Sequence, residues 1–174
     1  MEHRSNPPVP MESGATLPDA ALSEDFLASI PTVCFGMIGR AASRAVTRVL
    51  AVHLAPLDLQ PTQFPILVMI RLHRDDGIAA LAARLELDAS ALTRNVQLLE
   101  RKGFLTARGG RGRGGKSLAL SAAGEEILVK AVAKWRLAQE ALLAELGDEE
   151  AKILRSLLKR LEEAAGRAEH KVKV

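Results

Sequence analysis

Residues 88–103 read DASALTRNVQLLERKG, and the fold of the chain turns on them. Leu92, Val96 and Leu99 recur at i, i+4 and i+7, so they share one face of a helix over 89–102. Asp88 or Ser90 can cap its start. Gly103 supplies the stop, after Arg101 and Lys102 in the last turn, where cations suit the helix dipole. The remaining side chains Ser90, Thr93, Arg94, Asn95 and Gln97 are left pointing outward. They are the types that read base edges: Arg pairs with guanine, Asn and Gln with adenine, and Thr offers a methyl and a hydroxyl. Taken alone, the segment is an ordinary amphipathic helix. Its neighbours decide otherwise.

Upstream, Leu81, Ala82 and Leu85 mark a short helix over 79–86, joined to the first by the brief Leu87-Asp88 turn. Two short helices so joined have the layout of a helix-turn-helix. Downstream, Phe104-Leu105-Thr106 and Ser117-Leu118-Ala119-Leu120 read as two strands of a hairpin. The loop between them, RGGRGRGGK over 108–116, is more than half glycine and holds the cations Arg108, Arg111, Arg113 and Lys116. Glycines let a backbone approach phosphates closely, and these cations can neutralise charge or enter a minor groove. A flexible solvated loop and an RGG-like RNA tract compete with that reading. One short copy between two strands favours a wing beside the helix-turn-helix.

The charge distribution agrees. The net +3 of this 174-residue chain divides into −3 over residues 1–24, +1 over 25–70, +5 over 71–116 and zero over 117–174. A basic block inside a near-neutral chain suits a polyanion, with nucleic acid the leading candidate, against the plainer reading of a solvated charged face.

The flanks are helical too. Residues 1–24 hold Pro7, Pro8, Pro10 and Pro18, show neither periodicity, and read as a disordered acidic tail. Pro31 suits a first helical turn and Pro56 a stop, with Val33, Met37, Ile38, Ala41, Ala45, Val49 and Val52 at helical spacing between them. A helix follows from Pro61 to about His73, then a turn at Asp75-Asp76-Gly77, with Ile78 starting a very short strand. After the hairpin, Ser121 caps a long helix whose face includes Ile127, Leu128, Ala131, Trp135, Ala138, Leu142 and Leu146. Trp135 is expected to face inward as an anchor of the dimer or core, against a ligand-stacking role. Gly147 ends that helix, Asp148 caps the last one, and Leu154, Leu157, Leu158 and Leu161 line it.

Composition excludes several classes. Aromatics are 3% and Tyr is absent, which argues against a β-sandwich or barrel. The single cysteine, Cys34, leaves no intrachain disulfide and no cysteine-cluster zinc site. The longest apolar run, Phe64 to Ile70, is too short to span a membrane, and no secretory signal is visible, so a cytoplasmic setting is expected. There is no metal-ligand cluster, no phosphate-binding glycine loop leading into a helix and no nucleophile with an evident base, so no enzyme, metal or cofactor is expected.

At this point the chain resembles a known family. Leu59-Gln60-Pro61-Thr62-Gln63-Phe64, Leu81-Ala82-Ala83-Arg84-Leu85, the run from Leu92 to Leu105, and Leu118-Ala119-Leu120-Ser121-Ala122-Ala123-Gly124 look like the MarR family of bacterial transcription regulators. The resemblance covers roughly 30–168 and is most specific from Leu92 to Leu105. It implies a mainly α winged helix-turn-helix with long N- and C-terminal dimerisation helices and a small β-hairpin wing. The winged part would span about 57–121 and the dimerisation helices about 31–55 and 122–168, within one domain over 25–174. Family dimers commonly bind a palindromic operator and repress, releasing double-stranded DNA on binding a small aromatic or lipophilic effector or on cysteine oxidation. By that resemblance Ser90, Thr93, Arg94 and Gln97 contact DNA, with Arg111 and Arg113 of the wing. Two departures stand out. Many members carry Asp-x-Arg in the wing, where this chain reads Gly112-Arg113-Gly114, and Ala79 replaces the usual hydroxyl cap of the helix over 79–86.

Two switches suggest themselves. Cys34 lies near the start of the first long helix, and thiols at helix N-termini oxidise more readily. The hydroperoxide-sensing branch of the family carries a cysteine followed by an apolar residue in this region, but uses tyrosines that this chain lacks. A small buried apolar residue is the plainer role for Cys34. The other switch is a ligand pocket using Arg40, Arg44 and His53, against a solvated stripe of Arg40, Arg44 and Arg48. The expectation is therefore a homodimeric DNA-binding repressor released by a ligand. The alternatives are a redox-sensing repressor using Cys34, or a helical adaptor that binds RNA or protein through its basic loop.

Overall fold

The computed structural model describes residues 23–74, 76–108 and 117–172. The chain divides into two compact units, residues 1–48 and 49–174. The class is the expected one, mainly α with one two-stranded antiparallel hairpin.

The first unit corrects one expectation. In place of a single helix from Pro31 to about residue 55 there are two, α1 (Glu24–Val33) and α2 (Phe35–Leu54), which continues into the second unit. Ser23 caps α1 by accepting the Phe26 N–H at 3.3 Å, and Glu24 and Asp25 occupy its first turn, where acids suit the dipole. Ser23 and Glu24 are therefore the start of a helix rather than the end of a tail; residues 1–22 of that tail lie outside the described residues. Pro31 sits inside α1, near its end, and lacks the N–H that would bond Leu27 O. Three residues later Cys34 leaves the helical region (φ −71°, ψ 109°), and its carbonyl accepts from Met37 and Ile38 to open α2.

The second unit carries the core. After the end of α2 comes a 3-10 turn (Ala55–Leu57), then α3 (Gln63–Leu72), α4 (Ile78–Arg84), α5 (Ala89–Arg101), β1 (Leu105–Arg108), β2 (Ser117–Leu120), α6 (Ala122–Leu146) and α7 (Asp148–Val172). Ile78 opens a helix and not the expected strand. Gly77 is the N-cap of that helix, with no side-chain cap bond, and Ala79 lies inside the first turn. Helix α3 is the hub: α4, α5, α6 and β2 all pack on it. Phe64, Ile66, Leu67 and Ile70 of α3 meet Leu81, Leu92, Val96, Leu99, Leu105, Leu118, Leu128 and Ala131 in one buried cluster. Each fully buried leucine in such a cluster stabilises by about 1.5–3 kcal/mol. Trp135 stacks its ring on the buried Phe64 at a centroid distance of 6.3 Å and stays 37% exposed, so it packs on the core with part of the ring left at the surface.

Candidate nucleic-acid interface

Helix α5 is held by three buried side chains, Leu92, Val96 and Leu99, and its start by Asp88, whose Oδ1 accepts the Ser90 N–H at 2.7 Å. Of the two caps the sequence allowed, the structure uses Asp88. Hydrogen bonds from the Ser90 side chain and backbone hold the Asp88 carboxyl below the usual aspartate range, with the Arg94 charge adding to them.

With the buried face fixed, the 3.6-residue repeat sets what is displayed. Ser90, Arg94 and Gln97 are exposed along one line of the helix, and Thr93 is half-buried beside them with its hydroxyl donating to Ala89 O at 2.7 Å. The Arg94 guanidinium reaches back to Ser90 O and Oγ, both at 3.5 Å, and makes no ion pair with the described residues. Arg101, two turns beyond Arg94, is exposed on the same line. The 90, 94, 97, 101 spacing could have revealed it, but its place in the last turn suggested a dipole role alone.

Asn95 is a correction. It lies beside the Leu92–Leu99 face, half-buried, and its Nδ2 donates to Ala91 O at 3.0 Å while Thr62 Oγ1 donates to its Oδ1 at 3.5 Å. Its amide braces α5 against the start of α3 instead of pointing outward. A second brace ties the other end of α5: Lys102 Nζ stands 2.8 Å from Asp58 Oδ2 and also donates to Asp58 O. Neither tie was visible in the sequence, because its partners are 33 and 44 residues apart.

The basic block is thinner than its sum. Arg71 pairs with Glu125 at 3.0 Å and Lys102 with Asp58, acids outside the block, while Arg84 pairs at 2.6 Å with Asp76, which the +5 already counts. What α5 offers a polyanion is Arg94 and Arg101.

The hairpin begins where α5 stops. β1 packs on α5, and its register with β2 runs from Leu105↔Leu120 through Thr106↔Ala119 and Ala107↔Leu118 to Arg108↔Ser117. Leu105 and Leu118 are buried in the core and root the hairpin. Arg108 is the last residue of β1. Its side chain and the loop residues Arg111, Arg113 and Lys116 lie outside the described residues, as does Asp75 of the expected turn.

The switch candidates fall on α2 and at its start. Arg40 and Arg44 are exposed. His53 is half-buried, with Nδ1 2.9 Å from Val49 O. Cys34 is half-buried at the junction between α1 and α2. In the second unit an open groove of about 650 Å³ along α6 is lined by Leu128, Val129 and Val132 together with Arg71, Glu125 and Arg136.

Comparison with known proteins gives this arrangement a family. The transcriptional regulator MosR of M. tuberculosis superposes with a TM-score of 0.69 at 31% sequence identity, covering 79% of this chain and 98% of MosR. The chain belongs to the MarR family. The MarR family model also matches residues 57–114, from the approach to α3 through most of the wing loop. A mutant MarR from E. coli in complex with operator DNA is similar at a TM-score of 0.69 and 25% identity, covering 76% of this chain and 96% of that one. A MosR structure in complex with DNA matches at a TM-score of 0.67 and 31% identity, covering 78% and 98%. No curated protein matches the chain by sequence. Family membership places it among the winged-helix transcription regulators, as the sequence resemblance implied.

Proposed function

We propose that the chain is a homodimeric repressor that binds a palindromic operator in double-stranded DNA. The observation that carries this reading is the exposed line of Ser90, Arg94, Gln97 and Arg101 on a helix whose other face is locked in the core. In it, α5 enters the major groove with Arg94 and Gln97 on base edges, Ser90 and Thr93 beside them and Arg101 on a phosphate. Arg108, Arg111, Arg113 and Lys116 of the wing serve the adjacent backbone or minor groove. That MosR and a mutant MarR have been solved in complex with DNA supports DNA as the partner.

Dimerisation is supported by the exposed apolar residues Ile153, Leu154, Leu157 and Leu158 on α7 and Leu27, Phe35, Met37 and Ile38 on α1 and α2. Exposed apolar residues in each unit of a DNA-binding chain call for a partner, and a second copy gives the two-fold symmetry of a palindrome. Release would follow when a small aromatic or lipophilic effector favours a dimer whose α5 helices sit at another spacing. Arg40, Arg44 and His53 are candidate contacts for it, and the groove beside Arg71 and Arg136 is a separate candidate site.

Binding to duplexes from upstream of the gene, titrated against salt, tests the reading. One palindrome should be preferred, with a steep fall in affinity as salt rises. Equal affinity for any polyanion would return the chain to the adaptor class. A redox version rests on the half-exposed Cys34 at the α1–α2 junction. Peroxide should then release the wild type from DNA but not Cys34→Ser, and normal release in that variant would leave the effector version standing.

A further inference from the structure

Helix α5 ends in a tight, hydrogen-bonded turn. Gly103, at φ +75°, donates its N–H to Glu100 O at 2.9 Å, and Phe104 donates to Leu99 O at 3.0 Å. These are the two bonds of a Schellman stop, which needs a left-handed residue at Gly103. The carbonyls of the same two residues then meet the start of α6. Ser121 Oγ donates to Gly103 O at 2.6 Å, and Ser121 N–H donates to Phe104 O at 3.0 Å. That same Oγ accepts the Gly124 N–H at 2.9 Å, capping α6. One oxygen atom thus joins the last turn of α5 to the first turn of α6.

The fit at this joint is close enough to dictate a residue. A Cβ at position 124 would lie 2.0 Å from Phe104 O and 3.3 Å from Leu120 Cβ, so only glycine lets α6 come this near. The joint also sits at the pivot end of a lever. Helix α5 is 13 residues long, and Ser90 lies near its far end, roughly 20 Å from Gly103 at 1.5 Å per residue. A tilt of about 5° at the pivot moves that end by about 1.7 Å, several times the latitude of a base-edge hydrogen bond.

We propose that Ser121, seated against Gly124, is a positioning residue for DNA recognition: its hydroxyl fixes the angle of α5 on α6 and thereby the half-site spacing the dimer accepts. This rests on the reading of a dimer on a palindrome. Helix α6 also packs on α7, whose apolar stripe is assigned above to the second copy. The Ser121 joint therefore lies on the path from the dimer contacts to the base-reading side chains. A change in the dimer that moves α6 would be felt at Gly103 first.

Two variants of the full chain separate positioning from plain stability. Ser121→Thr keeps a hydroxyl that can donate and accept. Ser121→Gly removes it, while glycine remains a tolerated N-cap, so α6 keeps its start. Each is measured against palindromic duplexes with the preferred spacing and with one base pair added or removed, against a scrambled duplex, and for thermal midpoint. Ser121→Thr should match the wild type. Ser121→Gly should lose about three- to tenfold on the preferred spacing, the equivalent of one hydrogen bond, and lose less on the altered spacings. Its affinity for the scrambled duplex should not move. A Ser121→Gly protein with the wild-type spacing profile overturns the proposal alone, as does a uniform loss on every duplex that tracks a lowered midpoint. A wild type indifferent to spacing overturns both the proposal and the palindrome reading beneath it.

Discussion

Helices α5 and α7 are both amphipathic and both carry leucines at helical spacing, yet they end in opposite situations. The leucines Leu92 and Leu99 of α5 vanish into the core of their own chain, whereas Leu154, Leu157 and Leu158 of α7 stay exposed along with Ile153. The same pattern thus marks a helix completed within one subunit and a helix that a single subunit leaves unfinished. Helix α5 is completed inside its own chain, while α7 leaves an apolar face exposed.

The contrast can be broken from the α7 side first. Replacing Leu154 and Leu157 together with Asp should leave the winged-helix core folded but shift the sedimenting species to a monomer. Operator affinity should then fall by about 10²- to 10⁴-fold, the scale lost when two linked contacts become one. A dimer surviving this double change would show that α7 is not where copies meet. From the α5 side, Leu99→Ala should lower unfolding free energy by about 2–5 kcal/mol, because the vacated volume lies inside a packed core. Chemical denaturation checks it, and a loss under 1 kcal/mol would contradict the burial.

Within α5 itself, Arg94 and its neighbour Asn95 face different ways. Arg94→Ala should cost about 1–3 kcal/mol of operator affinity at an unchanged thermal midpoint. Asn95→Ala should instead lower the midpoint through the lost brace to Thr62, with sequence preference intact. The two results exchanged would reverse their assigned roles. The smallest effects lie at the turn between α4 and α5. Glu86 holds a left-handed conformation at φ +51°, so Glu86→Gly should raise stability by up to about 1 kcal/mol.

Asp88 gives the turn a pH signature. Its folded pKa is depressed, so its stabilising contribution is full above the unfolded aspartate value and is lost as pH falls through the folded one. Below about pH 4 the wild type should therefore lose stability more steeply than Asp88→Asn, which keeps a capping oxygen without the titration. Parallel slopes would remove Asp88 as the source.

How much of this was legible follows the range of the interactions. The α5 face, its Gly103 stop, the Ser121 cap and the hairpin strands are written in residues a few positions apart, and a periodicity argument reaches them. The braces Asn95–Thr62 and Lys102–Asp58 join distant segments, and no local pattern marks them. Helix α1 shows a different failure. Ser23-Glu24-Asp25 is a sound helix start, but the proline-rich residues before it and Pro31 after it suggested a tail and a later beginning. Proline is tolerated near the end of a short helix, and here the chain breaks three residues beyond it. Arg71 and Lys102 carry the remaining lesson: a regional net charge counts cations that acids from other segments, Glu125 and Asp58, have already matched.

The central claim is that two copies of the exposed α5 face read one palindrome. Its most direct test is the stoichiometry and salt dependence of binding to that palindrome and to a scrambled duplex of equal length. The account predicts two chains per duplex, a steep log–log salt slope on both, and a preference for the palindrome of about 10³-fold or more. A single chain per duplex, or equal affinity for the scrambled sequence at every salt concentration, would contradict it.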